Sequence, residues 1–408
     1  MKYDFTSIID RKGWDSIAAS WPDGNNPSSP YVVNDIKLKE GFDFIPMWVA
    51  DMNFATCPTI PEALVKRSEH PLYGYFQPRA EYFDLIKKWH KIRNGVDGIE
   101  KENIGYENGV LGGVATALSV LCSKGDKILL HSPTYVGFTG VIKNNGYDPI
   151  HSPLVEDENG ILRMDYEDMD KKLREQKIHM AIFCSPHNPS GRVWERWEIE
   201  KAMEVYAKND CWVISDEIWS DILMNGHKHI PTQSVSEDAK QRTVAFYAPS
   251  KTFNLAGLIG SYHIVYNKWL NDRMAKEASL GHYNSMNVLS MHALIGAYQP
   301  EGYEWCDELN QVLSDNVNFA YDYICENFKG VTLKKPEGTY LLYLDCSEWL
   351  KEHGMNLQQL LNLGYEYGVG WQDGSKFLIP DTIRMNLALP TSRVKEAFDR
   401  LDKYVFNK

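Results

Sequence analysis

Short apolar runs recur along the first two thirds of the chain, and each is followed by a turn rich in polar residues, proline or glycine. Four such runs cover residues 127–130, 180–184, 211–215 and 243–246, and the segments between them are long enough to hold crossover helices. Continuous apolar runs bounded by turn residues are typical of buried strands, and strands joined by crossover helices form parallel sheets. The pattern predicts an α/β fold in which helices sandwich a mainly parallel sheet.

The last third of the chain predicts a second, smaller domain of the α+β class. Residues 339–344 and 382–387 have strand-like patterns, and residues 394–404 carry apolar side chains at helical spacing. A chain of 408 residues also exceeds the usual size of one domain. The predicted domain limits are 47–291 for the large domain, and 1–46 together with 292–408 for the small one.

Polar side chains follow each of the four predicted strands of the large domain. In chain order they are Tyr135, Asn188, Asp216 and Lys251. In open α/β sheets the ligand site lies beyond the carboxyl ends of the strands, so we expect these four side chains to converge there.

These four residue types suit the chemistry of pyridoxal 5'-phosphate (PLP). A lysine can form an imine with an aldehyde cofactor, and a carboxylate such as Asp216 can keep the ring nitrogen protonated. The amide of Asn188 can donate to the phenolic oxygen, and the ring of Tyr135 can stack on the cofactor. Each residue also has a structural interpretation: Asp216 as a helix cap, Asn188 as part of a turn, Tyr135 as a core residue and Lys251 as a surface charge. Their order and their common position at strand ends favour the cofactor.

Longer motifs surround these residues. They are IPMWVADM at 45–52, SPHNP at 185–189, GRVW at 191–194, APSKTFNLAG at 248–257 and IRMNL at 383–387. In these motifs the chain resembles the fold-type I PLP enzymes, the class I/II aminotransferase superfamily, over nearly its full length. Within that superfamily it looks most like the cystathionine β-lyase and cystalysin subgroup of carbon–sulfur lyases. The tryptophan motifs and the surroundings of Lys251 point to the lyases, whereas the other elements are shared across the superfamily.

The resemblance implies how the cofactor phosphate is bound. Val110 and Leu111, at the start of a helix-like run, would offer backbone N–H groups, and a helix N-terminus attracts anions. Ser250 would add a hydroxyl. Tyr75 would reach the phosphate from the neighbouring subunit, so that a homodimer with shared active sites is expected. An interface or core role for Tyr75 remains an alternative.

The resemblance also implies how the substrate is bound. Arg384 would bind its α-carboxylate, which a guanidinium matches with two hydrogen bonds, and Ala50 and Asn188 would lie beside it. An interdomain ion pair is the alternative role for Arg384. Trp219 would lie at the cofactor, where the lyases commonly have histidine and many transaminases have tyrosine. Its indole has one N–H donor and no acceptor, so it replaces neither residue fully.

The implied reaction is α,β-elimination from cystathionine or another S-substituted L-cysteine, which yields pyruvate, ammonia and a thiol. An aminotransferase using the same residues is the first alternative. A catalytically inert PLP protein that acts as a regulatory or binding partner is the second, and the presence of Lys251, Asp216 and Arg384 argues against it.

Composition limits the other possibilities. The formal net charge is −12 and no basic stripe is present, which disfavours nucleic acid as a partner. No run approaches the roughly 20 apolar residues of a membrane span, and the polar start is not typical of a signal peptide, so the cytoplasm is the expected location. The seven cysteines form no Cys-x-x-Cys motif, and neither a disulfide framework nor a metal site is predicted.

Overall fold

The computed structural model describes residues 1–20, 36–281 and 284–407. Two compact units are present. One contains residues 56–188 and 192–307, and the other contains residues 1–55, 189–191 and 308–408. We call them the large and the small unit. The domain limits at 47 and 291 stay a prediction.

Both units mix strands and helices. The strands are β1 (Ile45–Pro46), β2 (Ile104–Glu107), β3 (Lys127–Ser132), β4 (Asp148–Glu156), β5 (Leu162–Met164), β6 (Met180–Cys184), β7 (Trp212–Asp216), β8 (Thr243–Tyr247), β9 (Ser261–Ile264), β10 (Thr332–Leu333), β11 (Leu341–Asp345), β12 (Val369–Gly370), β13 (Gln372–Asp373) and β14 (Thr382–Asn386). The helices are α1 (Thr59–Ser68), α2 (Ala80–Asn94), α3 (Val110–Leu121), α4 (Val136–Asn144), α5 (Tyr166–Gln176), α6 (Arg196–Lys208), α7 (Glu237–Arg242), α8 (Pro249–Thr252), α9 (Lys268–Gly281), α10 (Val288–Ala297), α11 (Pro300–Asn327), α12 (Ser347–His353), α13 (Leu357–Glu366) and α14 (Thr391–Leu401).

The large unit contains an eight-stranded sheet with the order β2-β9-β8-β7-β6-β3-β4-β5. The strands predicted from the apolar runs are β3, β6, β7 and β8, and they pair in parallel with one another. Strand β4 also pairs in parallel with β3, while β2, β9 and β5 pair antiparallel at the two sides. The predicted mainly parallel sheet is therefore confirmed.

Helices cover both faces of this sheet, which explains why its central strands are mainly apolar. On one face Leu130, Ile182 and Ile214 pack with residues of α3, α4 and α9. On the other face, Ala181 and Phe183 of β6 pack with residues of α5 and α6. Each fully buried aliphatic or aromatic side chain contributes about 1.5–3 kcal/mol to folding, so apolar residues are favoured on both faces of these strands.

The small unit has a four-stranded antiparallel sheet with the order β10-β11-β14-β13, and a separate parallel pair of β1 and β12. The strand predicted at 339–344 begins two residues later than expected, because Thr339 has a φ of 66°, outside the extended region. The helix predicted at 394–404 is α14, which begins at Thr391 and passes into a π-helical turn at Asp402. Of the helices in the described ranges, none is long and apolar enough to cross a membrane.

Candidate active site

The carboxyl ends of β6, β7 and β8 meet at one edge of the large sheet. Asp216, the last residue of β7, is paired with Cys184 of β6 on one side and with Phe246 of β8 on the other. Asn188 follows β6, and its side chain is buried. Lys251 follows β8 in the short helix α8. The strand register thus brings three of the predicted site residues to the same edge.

Asp216 is buried, and this burial raises the pKa of its carboxyl group to about 7. The neighbouring carboxylate of Glu217 contributes a smaller part of this rise. Two groups act in the opposite direction: the backbone N–H of Ile218, which donates to Oδ1 at 3.0 Å, and the positive charge of Lys251. A cation beside Asp216 would therefore draw it into the ionised form.

Lys251 lies against Trp219. Pro249 occupies the first turn of α8, where its fixed φ and missing N–H are tolerated, and the helix then presents Lys251 two residues later. The Nζ atom of Lys251 lies 5.5 Å from the centre of the Trp219 ring, within the range of a cation–π interaction. Trp219 itself is buried. The two residues predicted to contact the cofactor are thus brought together.

The start of α3 has the features of an anion-binding site. Gly109 precedes the helix with a φ of 77°, a conformation that favours glycine, and no side chain caps the helix. The N–H groups of the first turn, which include those of Val110 and Leu111, have no partner within the helix. The side chains of Leu111 and Tyr135 both lie close to Gly137. A Cβ atom built on Gly137 would be 2.4 Å from the Tyr135 ring and 3.0 Å from Leu111. The structure brings these predicted residues together as well.

A clamp that the sequence analysis did not identify supports this helix start. Asn284 donates from Nδ2 to Glu107 Oε2 at 2.5 Å, and its Oδ1 accepts from the N–H of Asn108 at 3.1 Å. Nδ1 of His263 lies 2.7 Å from the other carboxylate oxygen of Glu107. The last residue of β2 and the residue after it are therefore fixed just before Gly109. No local sequence pattern could have identified this clamp, because Asn284 and Glu107 are 177 positions apart.

We predict that Asn284→Ala weakens retention of the cofactor, because the loop before α3 loses both hydrogen bonds of the clamp. Each such bond contributes about 0.5–1.5 kcal/mol, or more to a charged partner, so the Kd for PLP should rise roughly tenfold. Titration of cofactor-free protein with PLP measures this change. Asn159→Ala, which alters an exposed turn elsewhere, serves as the control, and an unchanged Kd in Asn284→Ala would contradict a role for the clamp.

Glu217, the residue after Asp216, belongs to a separate buried network. Although burial acts to raise its pKa, His229, Tyr247 and Ser215 hold the pKa of this carboxyl group below its usual value. The bonds are 2.6 Å from His229 Nε2, 2.7 Å from the Tyr247 hydroxyl and 2.9 Å from the Ser215 hydroxyl. The chain thus places a stable negative charge one residue away from Asp216, which helps to keep the pKa of Asp216 high.

Tyr75 lies on the surface of the single chain, with its side chain fully exposed. Together with Tyr73 and Phe76 it lines a groove of about 650 Å³, whose other residues include Asn284 and Met286. We call this the aromatic groove. The core alternative for Tyr75 is therefore wrong, and its role at a neighbouring subunit stays a prediction. Ser250, at the start of α8, is half-buried, and its contact with phosphate also stays a prediction.

Arg384 and Ala50 belong to the small unit. Arg384 lies in β14 between Tyr343 and Gln372, is buried, and has its guanidinium carbon 4.6 Å from the centre of the Phe377 ring.

The segment around Ala50 is fixed by Asn386. Its Nδ2 donates to the carbonyl oxygens of Val49 and Asp51 at 2.7 Å each, and the sequence analysis did not single out this asparagine. The substrate-binding roles of Arg384 and Ala50 stay predictions.

Comparison with known proteins identifies the family of this chain. Residues 43–401 match the family model "Aminotransferase class I and II". The chain belongs to this family. Its fold and its membership were both predicted from the sequence motifs, and both predictions are confirmed.

Members and structural neighbours of the class I and II aminotransferase family are similar to this chain over most of its length. Cystathionine β-lyase PatB from Bacillus subtilis (strain 168) is 34% identical over 322 residues, which cover 79% of this chain and 82% of PatB. The crystal structure of cystalysin from Treponema denticola, which contains a PLP cofactor, has a TM-score of 0.88 and 30% identity, and the match covers 99% of both chains. A PLP-bound C-S lyase from Staphylococcus hominis has a TM-score of 0.87 and 29% identity, and the match covers 100% of both chains.

Proposed function

We propose that this protein is a PLP-dependent carbon–sulfur β-lyase, which converts cystathionine or another S-substituted L-cysteine to pyruvate, ammonia and a thiol. The observation that carries the proposal is the convergence of Lys251, Asp216 and Asn188 at one sheet edge, in a chain that is 34% identical to a cystathionine β-lyase. The predicted cofactor and lyase activity agree with the PLP-bound C-S lyases among the similar structures.

The residues present fit the cofactor. The first turn of α3 offers N–H donors for the phosphate, and Tyr135 lies beside Leu111 at that turn. Asp216 is a buried carboxyl group whose charge a protonated pyridine nitrogen would stabilise. When bound, PLP supplies an aromatic ring that accepts the electron pair left on the α-carbon of the substrate.

Lys251 acts as the base in the proposed reaction. Its Nζ takes the proton from the α-carbon, and the bond between the β-carbon and sulfur breaks, so that the sulfur leaves as a thiolate with the bonding electrons. The unsaturated amine that is released then reacts with water to give pyruvate and ammonia. Asp216 would hold its negative charge beside the ring nitrogen, and Arg384 is proposed to bind the α-carboxylate.

Trp219 favours elimination over transamination in this scheme. Once Lys251 has accepted the α-proton it carries a positive charge, and the face of the indole, with its centre 5.5 Å from Nζ, stabilises a cation by about 0.5–2 kcal/mol. An aminotransferase requires Lys251 to give that proton back to the cofactor. By stabilising protonated Lys251, Trp219 slows the return of this proton to the cofactor. The thiolate can therefore depart first.

The function is tested with L-cystathionine and a simple S-alkyl cysteine as substrates. We expect pyruvate, ammonia and free thiol in equal amounts, without any added keto acid, over many turnovers. Trp219→Tyr serves as the comparison, because it removes the indole and introduces the residue that many transaminases carry. The proposal fails if thiol is absent while a keto acid is strictly required.

An aminotransferase remains the second candidate, because the family model and some relatives carry that activity in their names. Aspartate aminotransferase from Bacillus sp. (strain YM-2), for example, is 26% identical over 295 residues. The same assay distinguishes the two reactions, since transamination requires a keto acid and releases no thiol. Any turnover of an amino acid excludes the third alternative, an inert PLP-binding protein.

We also propose that the enzyme is a homodimer with shared active sites. The full exposure of Tyr75, and the exposure of Tyr73 and Phe76 beside it in the aromatic groove, support this arrangement, because large exposed aromatic side chains are typical of interfaces. A cytoplasmic location and the absence of nucleic-acid and membrane partners stay predictions.

Mixed dimers test the shared site. Tyr75→Phe should weaken PLP retention, and Lys251→Ala should be inactive. A hybrid of the two variants contains one intact site if Tyr75 serves the opposite subunit, so mixing should restore up to about a quarter of wild-type activity at limiting PLP, by statistical pairing. Tyr404, in the small unit, provides the control. Hybrids of Lys251→Ala and Tyr404→Phe show the activity that results from mixing alone. Confirmed hybrid dimers with no recovery above the parent proteins would exclude the shared site.

A further inference from the structure

Three side chains with metal-binding atoms meet at the amino-terminal edge of the large sheet. Cys122 follows the last residue of α3, Asp126 precedes the first residue of β3, and His179 precedes the first residue of β6. Their candidate ligand atoms all lie within 4.8 Å of one another. Strands β3 and β6 are adjacent and parallel, with Leu129 beside Ala181, so their starts lie side by side. The sequence alone does not indicate this cluster, because Asp126 and His179 are 53 positions apart.

The distances within the cluster suit a tetrahedral ion. Nε2 of His179 lies 3.4 Å from Oδ2 of Asp126. Zinc binds imidazole nitrogen and carboxylate oxygen at about 2.0–2.2 Å, so two such ligands at a tetrahedral angle are about 3.4 Å apart. A cysteine, a histidine and a carboxylate are also the three ligand types that zinc prefers. The arrangement needs only small side-chain movements to accept the ion.

We propose that Cys122, Asp126 and His179 form a binding site for a divalent zinc ion, with water as the fourth ligand. The site is open to solvent: the side chains of His179 and Asp126 are 43% and 30% exposed. This exposure allows the ion to enter and leaves room for the water. Asp126 already has a fixed position, because its Oδ2 accepts the N–H of Ser123 at 2.7 Å.

This site is separate from the proposed active site. Strands β3 and β6 are six and five residues long, so their two ends lie about 16–20 Å apart. The link between the sites is α3, whose first turn is the proposed phosphate site and whose last turn precedes Cys122. An ion held by Cys122, Asp126 and His179 would tie the end of α3 to the starts of two central strands. Zinc should therefore stabilise the folded chain without contributing to the reaction.

The test uses the PLP-saturated enzyme, freed of metals and kept in a buffer without thiols. Zinc chloride is titrated against a competing chromophoric chelator. We expect one zinc ion per chain at this site, with binding at least tenfold weaker in His179→Asn and in Cys122→Ser. Zinc should also raise the melting temperature of the wild-type enzyme and leave that of both variants unchanged. The visible spectrum of bound PLP reports that each variant is folded.

Two matched controls remove the same residue types elsewhere on the surface. His227→Asn changes an exposed histidine, and Cys325→Ser changes an exposed cysteine. Both should keep wild-type zinc affinity. If Cys122→Ser does not fold, His179→Asn decides the question, because the His179 side chain is 43% exposed and its replacement disturbs the core less. Equal zinc affinity in wild-type enzyme and His179→Asn, or no bound zinc in the wild-type enzyme, overturns the proposal.

Discussion

Lys251→Ala should abolish the visible absorbance of the imine between Lys251 and the cofactor and reduce elimination by at least about a thousandfold. The variant loses both the amine that reacts with the aldehyde and the base that removes the α-proton, and general base catalysis alone is typically worth 10²–10⁴ in rate. Lys251 is placed for both tasks, since it follows β8 beside Asp216 and Trp219. Absorbance spectra and single-turnover assays of the variant measure the two losses separately.

Lys268→Ala provides the matched control for this experiment. Lys268 is an exposed lysine of α9 that forms an ion pair with Asp272, and its removal should change neither spectrum nor rate. Added methylamine offers a second check, because a small amine that enters the site should restore part of the activity of Lys251→Ala. Visible absorbance that persists unchanged in Lys251→Ala, with cofactor still covalently attached elsewhere, would show that another residue carries it.

Asp216→Asn should retain some cofactor but lose most of its turnover, by roughly a hundredfold or more, because an unprotonated pyridine is a poor electron acceptor. Asparagine preserves the shape of the side chain and removes its charge. Asp238→Asn, at an exposed acid of α7, is the control for the loss of a charge alone. Turnover close to that of the wild-type enzyme would mean that another group protonates the ring.

Asp216→Asn should stabilise the cofactor-free protein, although it lowers the turnover of the enzyme with cofactor bound. Burial raises the pKa of Asp216 from 3.8 to about 7, so ionisation opposes folding. The penalty is absent below pH 4, grows as the pH rises to about 7, and is constant above that, at a value on the order of 4 kcal/mol. Cofactor-free Asp216→Asn should therefore melt at a higher temperature than the wild-type protein at pH 8, and the difference should vanish towards pH 4. A difference that does not change with pH would contradict the raised pKa.

The sequence predicted the central strands well because their physical environment is simple. Strands β6 and β8 are buried on both faces, and every residue in them is buried, which produces a continuous apolar run. Strand β4 escaped prediction for the opposite reason. It lies near one side of the sheet, and only one of its nine residues is buried, so it has no continuous apolar run.

Some residues of the candidate site were likewise predicted from the sequence, and others were missed. Asp216, Asn188 and Lys251 were predicted because the position of each depends only on the strand that precedes it. Asn284 and Glu107 were missed, because they are 177 positions apart and no local sequence pattern indicates their contact. His229 was missed as well, because its ring is buried against Glu217, a residue 12 positions away that no motif connects with it.

The buried carboxyl group of Asp216 has a consequence for the life of the protein in a cell. At neutral pH the cofactor-free chain must either carry a charge in its interior or hold a proton there, and the bound cofactor removes this cost by placing a cation alongside. PLP is thus a folding ligand as well as a reagent, and its binding lowers the population of opened chains. Because proteases degrade opened chains, cells short of this vitamin-derived cofactor should contain less of the enzyme, beyond the loss of activity in each molecule.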